Sequence, residues 1–542
     1  MSDELDIKAC GLIITRRNAL QALGLAGIGV ISLGRTDTAF GQEIGQPVKG
    51  GTLSIRISGD PPNFDMFSNS TLWSLATIAA CYNSLVKFSP ADPMKVVGDL
   101  ATEWKLGDDG RSITFKLVKD ARFHDGVPLT SADVKYTFDI ARDPPEGTVS
   151  ARKILLSAIE TIDAVDEYTV RFNLKRPCPS LITTLATGWF VVAPKHILEA
   201  KGNMKEDVVG SGPYKFQQYT RGVSVELVRN PAYHVSDRPH LDGITFFIVP
   251  EASTAFSYLA SGQVHIYDEI PSNYAKQAES EMRDLIKIHK KASYVGDPYT
   301  VNTRRKPFDD VRVRKALAMS INHAQAVQVV NAGDGELGGL LPSSPWGMAP
   351  GDLAGMPGYS PDVEKSRAVA RELLADAGYS NGFDAKMVVR RGAGTHEARA
   401  IFLADQFAKI GVRLTLDLQE SAAYFEKMQK HDFEIATNTV TSLANDPDFL
   451  LGDFHTTGGS LNYGGLSSKV IDDLFIAQSQ EVDMAKRADL VHQLEKAIME
   501  EYVTVILYFK NKYTGTSTRL QNYTMHPEPD NNRRMEDVWL TA

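Results

Sequence analysis

Apolar and polar residues first alternate with a two-residue period at residues 52–57, where Leu53, Ile55 and Ile57 share one face of a predicted strand. Asp60-Pro61-Pro62-Asn63 then breaks the pattern into a loop. Ile113, Phe115 and Leu117 repeat the period, which runs on to a turn at Asp125-Gly126. Thr130, with Asp133 three residues later, reads as the N-cap of a helix that carries Val134, Phe138 and Ala141 inward. Further along, Asp310 caps a helix whose face is Val313, Leu317 and Ile321, and a second helix runs from about Glu364 to Gly378. A third, from about His396 through Leu403, Phe407 and Ile410, stops at Gly411, where glycine takes the left-handed conformation at little cost. Val412, Leu414, Leu416 and Leu418 alternate as a strand, and residues 503–508 are apolar at nearly every position, as in a strand covered on both faces. So late a strand is expected to join a sheet begun much earlier. Strands alternating with amphipathic helices, without internal repeat or low-complexity block, predict an α/β fold.

The apolar run at residues 20–33 is of a different kind. It is too short, and with Gly24, Gly27 and Gly29 too glycine-rich, to span a bilayer permanently. Directly ahead of it, Thr15-Arg16-Arg17-Asn18-Ala19-Leu20 resembles a twin-arginine export signal, with Ala19 in place of the usual phenylalanine. Small residues at Ala39 and Gly41 suit signal peptidase, so residues 1–41 read as a signal peptide and the mature chain as starting near Gln42. That signal implies the twin-arginine translocase as a partner during export, with folding before translocation. No later stretch reads as a membrane span.

A chain of 542 residues exceeds what one hydrophobic core serves, so two or three domains are expected. A formal net charge of -9 argues against a nucleic-acid partner, whose phosphates call for a basic surface. Of three cysteines, Cys10 lies in the signal, which leaves Cys81 and Cys178. They are too few for a disulfide scaffold and lack CxxC spacing; one disulfide or two separate buried thiols are both open, the second being preferred. No cysteine follows the apolar run closely, so a lipid anchor has no attachment point and the mature protein is expected free in the periplasm. HExxH, a histidine pair at i and i+4, and GxSxG are all missing, and the GxGxxG-like glycines lie incomplete inside the signal. Phe123-His124-Asp125-Gly126 sets a histidine beside an aspartate, but Asp125-Gly126 is a natural turn with His124 on its rim. No catalytic set, metal ligand set or cofactor site is therefore expected.

A series of short motifs stands in order along the mature chain. It runs through Gly50-Gly51-Thr52-Leu53, Asp60-Pro61-Pro62, Tyr82-Asn83-Ser84-Leu85, Leu100-Ala101-Thr102-Glu103-Trp104, Phe123-His124-Asp125-Gly126 and Gly210-Ser211-Gly212-Pro213-Tyr214. It continues through Arg229-Asn230-Pro231, Pro307-Phe308-Asp309-Asp310-Val311-Arg312 and Ala377-Gly378-Tyr379. In order and spacing the chain resembles the periplasmic solute-binding proteins of ABC importers, peptide and nickel class (family 5). The resemblance implies a two-lobed α/β periplasmic-binding-protein fold of type II with an extra inserted subdomain. Lobe I would comprise residues 42–80, 206–295 and 510–542, the insertion residues 81–205, and lobe II residues 296–509. Crossings near residues 296–303 and 508–513 would form a hinge that lets the lobes close over a ligand, and a membrane permease would read that closure.

The resemblance also directs attention to a site. Arg390 follows Met387-Val388-Val389, at a strand end where dipeptide-binding relatives place a carboxylate-binding arginine; adjacent Arg391 leaves open which of the two points inward. Aligned on Asp446-Pro447, Leu443 occupies the place of an aspartate that pairs with the ligand's ammonium group in peptide-binding relatives. Burying an ammonium without a counter-charge costs several kcal/mol in order of magnitude, so either Asp446 or Asp448 substitutes or the ligand has no free amine there. Asn438, among Thr437, Thr439, Thr441 and Ser442, offers neutral hydrogen-bonding groups instead. Trp189 and Trp346 lie in segments that relatives place near the ligand, and Tyr299, Asn302, Asp60 and Asn63 would border the hinge or the end of the first strand. The function expected is a receptor that captures a small polar organic solute, a short peptide or amino-acid-like compound, and delivers it to an ABC permease. An oligosaccharide or opine receptor of the same fold is the alternative within the class; an exported hydrolase is the alternative outside it.

Overall fold

The computed structural model describes residues 46–68, 71–146, 150–392, 394–442, 444–528, 531 and 533–541. Arg16 and Arg17 of the export signal, and Leu443, lie outside the described residues.

Ten strands build the main sheet. In chain order they are β1 (Thr52–Ile57), β2 (Tyr214–Thr220), β3 (Ser224–Arg229), β4 (Gly243–Ile248), β5 (Ile266–Asp268), β6 (Ile286–Val301), β7 (Phe383–Arg390), β8 (Val412–Gln419), β9 (Ile435–Thr437) and β10 (Thr504–Ser517). Their spatial order is β8-β7-β9-β6-β10-β5-β1-β4-β3-β2, and a two-residue strand, Gly335–Glu336, pairs with β10 off this path. β6 and β10 run antiparallel from Ile286 opposite Ser517 to Thr300 opposite Thr504, with the register slipping between Ala292 and Gly296 and again between Gly296 and Pro298. At one end of this long pair β10 takes on β5, followed by the parallel set β5, β1, β4. At the other end β6 takes on β9, followed by the parallel set β9, β7, β8.

The hydrophobic interior divides in the same way. A large cluster joins Leu53 and Ile55 of β1 and Ile244 and Phe246 of β4 to Phe115, Phe138 and Phe172 of the segment between β1 and β2. A separate cluster gathers Tyr299 and Val301 of β6, Met387 and Val389 of β7, and Leu507 and Tyr508 of β10. Each fully buried aliphatic side chain contributes about 1.5–3 kcal/mol, so the alternation of β1 anchors that strand firmly. Within the segment between β1 and β2, a four-stranded antiparallel sheet of Ala101–Leu106, Ser112–Leu117, Thr169–Leu174 and Ile159–Asp166 carries Phe115 against Phe172.

Helix α1 (Leu72–Ile78) follows β1. Helix α2 (Ser131–Arg142) begins with a complete capping box between Thr130 and Asp133 and buries Val134, Phe138 and Ala141. Helix α3 (Val311–Met319) is capped by Asp310, whose side chain accepts from the Arg312 N–H; α4 (Val363–Asp376) ends two residues before Gly378, at φ 93°. Helix α5 (His396–Ala408) is followed by Gly411 at φ 90°, and α6 (Met484–Met499) precedes β10.

Several sequence expectations need correction. The strand carrying Ile113, Phe115 and Leu117 stops at Leu117; the Asp125-Gly126 turn closes a separate small loop bridged between Arg122 and Pro128. The late apolar strand extends to Ser517, more than twice the length of its apolar run, because its polar second half is held by β5 and β6. Leu418 is 37% exposed, near the end of β8, which is the edge strand of the sheet. The preferred reading of two separate thiols holds for Cys81 and Cys178, but only Cys81 is buried and Cys178 is half-buried.

The α2 cap is expected to matter locally. Thr130→Ala should lower stability by about 1 kcal/mol, measured as a reduced denaturant midpoint, because it removes one side of the reciprocal cap.

Candidate functional site

The topology defines where a ligand site can form. β5 points its carboxyl end, Asp268 opposite Thr514, toward the middle of β10, and β9 points its carboxyl end, Thr437 opposite Tyr299, toward the middle of β6. β1 and β4 share the direction of β5, and β7 and β8 that of β9. Carboxyl ends of parallel strands from both half-sheets therefore converge on the stretch where the β6–β10 register slips. In open α/β sheets such a crevice beyond the carboxyl ends of the strands is where ligands bind.

On the β6 side of the crevice lies a buried charged cluster. Asp297 and Arg399, both with fully buried side chains, stand 3.5 Å apart, and Lys510 of β10 reaches Asp297 at 3.1 Å. Thr395 donates to the Asp297 carboxylate at 2.5 Å, and Arg399 donates to the carbonyls of Pro298 (2.9 Å) and Asn438. Burial alone would raise the Asp297 carboxyl; Arg399, Lys510 and the Thr395 hydroxyl outweigh it and hold the group below the ordinary carboxylate value. His396 sits between the Thr437 and Thr439 hydroxyls at 2.9 and 3.2 Å; burial, reinforced by Arg399, pushes it down to about 3, so it is neutral. Arg390, half-buried at the end of β7, donates Nε to Ser421 Oγ at 2.9 Å and lies 5.0 Å over the Phe425 ring. Among the described residues it has no carboxylate within ion-pair distance, whereas Arg391 turns to Glu420 at 3.4 Å.

Across the crevice, a cleft of 90 Å³ opens at the carboxyl ends of β1 and β5, lined by Arg56, Ser58, Leu72, Trp73, Asp268 and Glu269 among others. Arg56 is fixed by the carbonyls of Val249 (2.8 Å) and Pro250 (3.0 Å) and lies 4.8 Å over the Tyr267 ring. Asp268 accepts from Thr514 at 2.9 Å and pairs with Arg533.

The residues singled out in the sequence fall into three groups. Arg390 and Asn438 border the charged cluster; Asn438 is bonded through its backbone to Pro298 and through its side chain to the Thr439 N–H. Trp346 and Asp446 meet on Arg487: the guanidinium lies 5.0 Å over the indole and makes a two-pronged contact with Asp446 at 2.7 and 3.0 Å. Asp448 is engaged as well, accepting from Ser180 and Gln478 at 2.6 Å each and from Arg487 at 3.3 Å. Both candidate replacements for the carboxylate at Leu443 are thus occupied within the protein.

The others are packed or hydrogen-bonded within the protein. Tyr299 is fully buried, edge-on to Phe407, and Asn302 spends its amide on the carbonyls of His431 and Phe433. Trp189 is buried beneath the Arg152 guanidinium at 3.9 Å. Asp60 accepts from the Tyr219 hydroxyl and the Gly222 N–H at 2.7 Å each, and the Gly222 bond leads in holding it below its ordinary value; Asn63 accepts from the Asp65 N–H. His124 bonds the Gly210–Gly212 loop, and burial pushes it down to about 4, a structural imidazole. Sequence reasoning passed over Asp297, Arg399, Lys510, Arg56 and Trp73, which carry no motif and are placed only by the tertiary structure. Among the described residues no group of His, Cys, Asp and Glu could hold a metal ion, and no helix is long and apolar enough to cross a membrane.

Sheet order and an inter-half crevice are those of a two-lobed binding protein, and comparison with known proteins identifies the class. The family model for bacterial extracellular solute-binding proteins, family 5, matches residues 95–462, and the chain belongs to this family. The oligopeptide-binding protein AppA of Bacillus subtilis (strain 168) is 26% identical over 522 residues, covering 92% of this chain and 93% of that protein. Its structure in complex with a nonapeptide superposes with a TM-score of 0.70 at 25% identity, over 92% of this chain and 100% of that one. HbpA2 from Haemophilus parasuis superposes with a TM-score of 0.82 at 24% identity, over 91% and 100%. The periplasmic murein tripeptide binding protein MppA, in an unliganded open form, gives 0.77 at 22% identity, over 92% and 98%.

Two consequences can be measured. Asp446→Ala leaves the buried Arg487 charge with Asp448 alone and should cost about 3 kcal/mol of stability by denaturant titration, whereas a change within about 0.5 kcal/mol would mean that the pair contributes nothing. His124, His289, His323, His396, His455 and His526 are all pushed down to about 3 or 4, chiefly by burial, from the ordinary histidine value of 6.5. The unfolded chain therefore binds more protons than the native one below that value: the stabilising effect is complete above about pH 7 and is lost as pH falls toward 4. The melting temperature should fall steadily over that interval, and His455→Gln should flatten the fall; a midpoint constant from pH 7 to 4 would contradict the neutral, buried assignment.

Proposed function

We propose that the protein is a periplasmic receptor of an ABC importer that captures a short peptide or amino-acid-like solute between two lobes and delivers it to the membrane permease. The observation that carries this reading is the convergence of strand ends from both half-sheets on the slipped stretch of β6 and β10, in a chain of the solute-binding family. Lobe I is assigned to residues 42–80, 206–295 and 510–542, its inserted subdomain to 81–205 and lobe II to 296–509. The separate hydrophobic clusters on either side of the long strand pair support that division. Residues 296–303 and 508–513 act as the hinge. Export follows the twin-arginine route signalled by Arg16 and Arg17.

Arg390 receives the ligand carboxylate. It stands at a strand end facing the crevice, ordered by Ser421 and Phe425 yet unmatched by any carboxylate among the described residues. The engagement of Asp446 and Asp448 by Arg487 and its neighbours favours a second reading, an opine or oligosaccharide receptor whose ligand brings no ammonium to that segment.

Thermal unfolding of the ligand-stripped mature protein against dipeptides, longer peptides, opines and oligosaccharides separates the two. A ligand at about a hundred times its dissociation constant adds about 2.7 kcal/mol, a readable shift. Stabilisation by peptides is expected; stabilisation by opines or sugars alone would replace the peptide reading with the second. Arg390→Ala should weaken binding of the responding ligand by about 1.5–3 kcal/mol in titration calorimetry without lowering the melting temperature, and equal affinities would remove Arg390 from the site.

A further inference from the structure

The cleft at the ends of β1 and β5 contains an unusual surface. Leu72 and Trp73, the first two residues of α1, are 45% and 42% exposed, although they stand beside charged groups at the point where the strand ends converge. Trp73 is not loose. Its Nε1 donates to Ser58 Oγ at 3.1 Å, and the indole packs so closely on Gly59 that a Cβ there would lie 2.7 Å from a ring carbon. The bond to Ser58 and the bare backbone of Gly59 together set the ring's orientation and leave much of its surface open to the crevice.

The polar walls around it are internally satisfied. Arg56 is bonded to two carbonyls, and Asp268 to Thr514 and Arg533; Glu269, at φ 53°, contacts Lys512 at 3.3 Å. Two cations, Arg56 and Arg533, and two anions, Asp268 and Glu269, line the cleft, so it favours no net charge. What it leaves uncovered is the apolar ledge of Leu72 and Trp73. Exposing a large aromatic surface at a crevice costs hydrophobic free energy that is recovered only when something apolar covers it.

We propose that the Leu72–Trp73 ledge is a subsite for a large apolar or aromatic side chain of the bound peptide, making Trp73 a specificity-determining residue. The inference rests on the peptide reading above. A flat aromatic ring ordered from behind accepts aromatic and branched aliphatic groups by stacking and area burial, with little demand on their shape. Peptides offering such a side chain at the matching position are therefore selected over glycine peptides, whose backbone contacts are the same.

The test is titration calorimetry of the mature protein with glycine peptides of two to five residues and with their single-phenylalanine versions at every position. Wild type should bind at least one phenylalanine peptide about tenfold or more tightly than its glycine parent. Trp73→Ala should cut that preference to about threefold or less, the phenylalanine peptide losing more affinity than its glycine parent, as a cycle between the two substitutions isolates their contact. Gly59→Ala, which pushes the ring aside from behind, should reduce the same preference and serves as the second probe if the alanine variant at residue 73 unfolds. No phenylalanine preference in wild type overturns the subsite while leaving the peptide reading intact. Equal weakening of parent and phenylalanine peptides by Trp73→Ala also overturns it, as does an unchanged preference accompanied by loss of self-association, which would give the ledge to a second copy of the chain. Binding of no peptide by wild type sinks the peptide reading and the subsite together.

Discussion

The antiparallel pairing of β6 with β10 is the constraint on which the rest of this structure depends. It is the sole strand contact joining the two parallel sets within the main-sheet path, and each strand serves both halves: Ile286 and Tyr513 cluster with Tyr267 of β5, whereas Tyr299 and Leu507 cluster with Met387 of β7. Hydrogen bonding carries the chain across without a break in the ladder except at Ala292 to Pro298, where two register slips interrupt it. A slip of this kind bends and twists a strand locally while the pairing on either side remains intact. The two half-sheets are thus tied through the one stretch of the ladder with the least regular bonding, and strand ends from both sides are directed at that stretch.

Charge burial reinforces the junction. Asp297, in the slipped stretch, collects Arg399 from α5, Lys510 from β10 and Thr395 from the loop before α5. An isolated buried carboxylate would be costly, and so would an isolated guanidinium; paired and bonded to carbonyls, they fix the position of α5 against the middle of the sheet. A second pairing of the same type, Arg487 with Asp446 and Asp448, reaches Ser180 of the segment between β1 and β2, so contact between the halves is made there through side chains. Buried pairs of this kind contribute less to net stability than to the definition of one arrangement, because any misplacement leaves an unpaired charge.

Much of the fold was legible in the sequence because it follows from local rules. The two-residue period of Leu53, Ile55 and Ile57, the Thr130–Asp133 box, the Asp310 cap and the left-handed glycines at 378 and 411 all act within a few residues of themselves. The length of β10 was not legible, since its second half is polar and is held by neighbours more than two hundred residues away. The candidate site was legible only in part. Arg390 at a strand end follows from the apolar run before it, but Tyr299, Asn302 and Trp189 turned out to be packed or bonded within the cores, which their residue types alone do not reveal.

The sequence by itself determined the α/β class, the positions of most helices and strands, the small number of cysteines, and the family. Those properties rest on composition, periodicity and short motifs, all of which are local. Tertiary structure alone decided that Asp446 belongs to Arg487, that Asp297 and Arg399 share a buried cluster, and that Trp73 faces the same crevice as Arg56. Each of those facts joins residues from different elements, and what joins them is the packing of helices and loops on a sheet whose pairing register no single segment encodes.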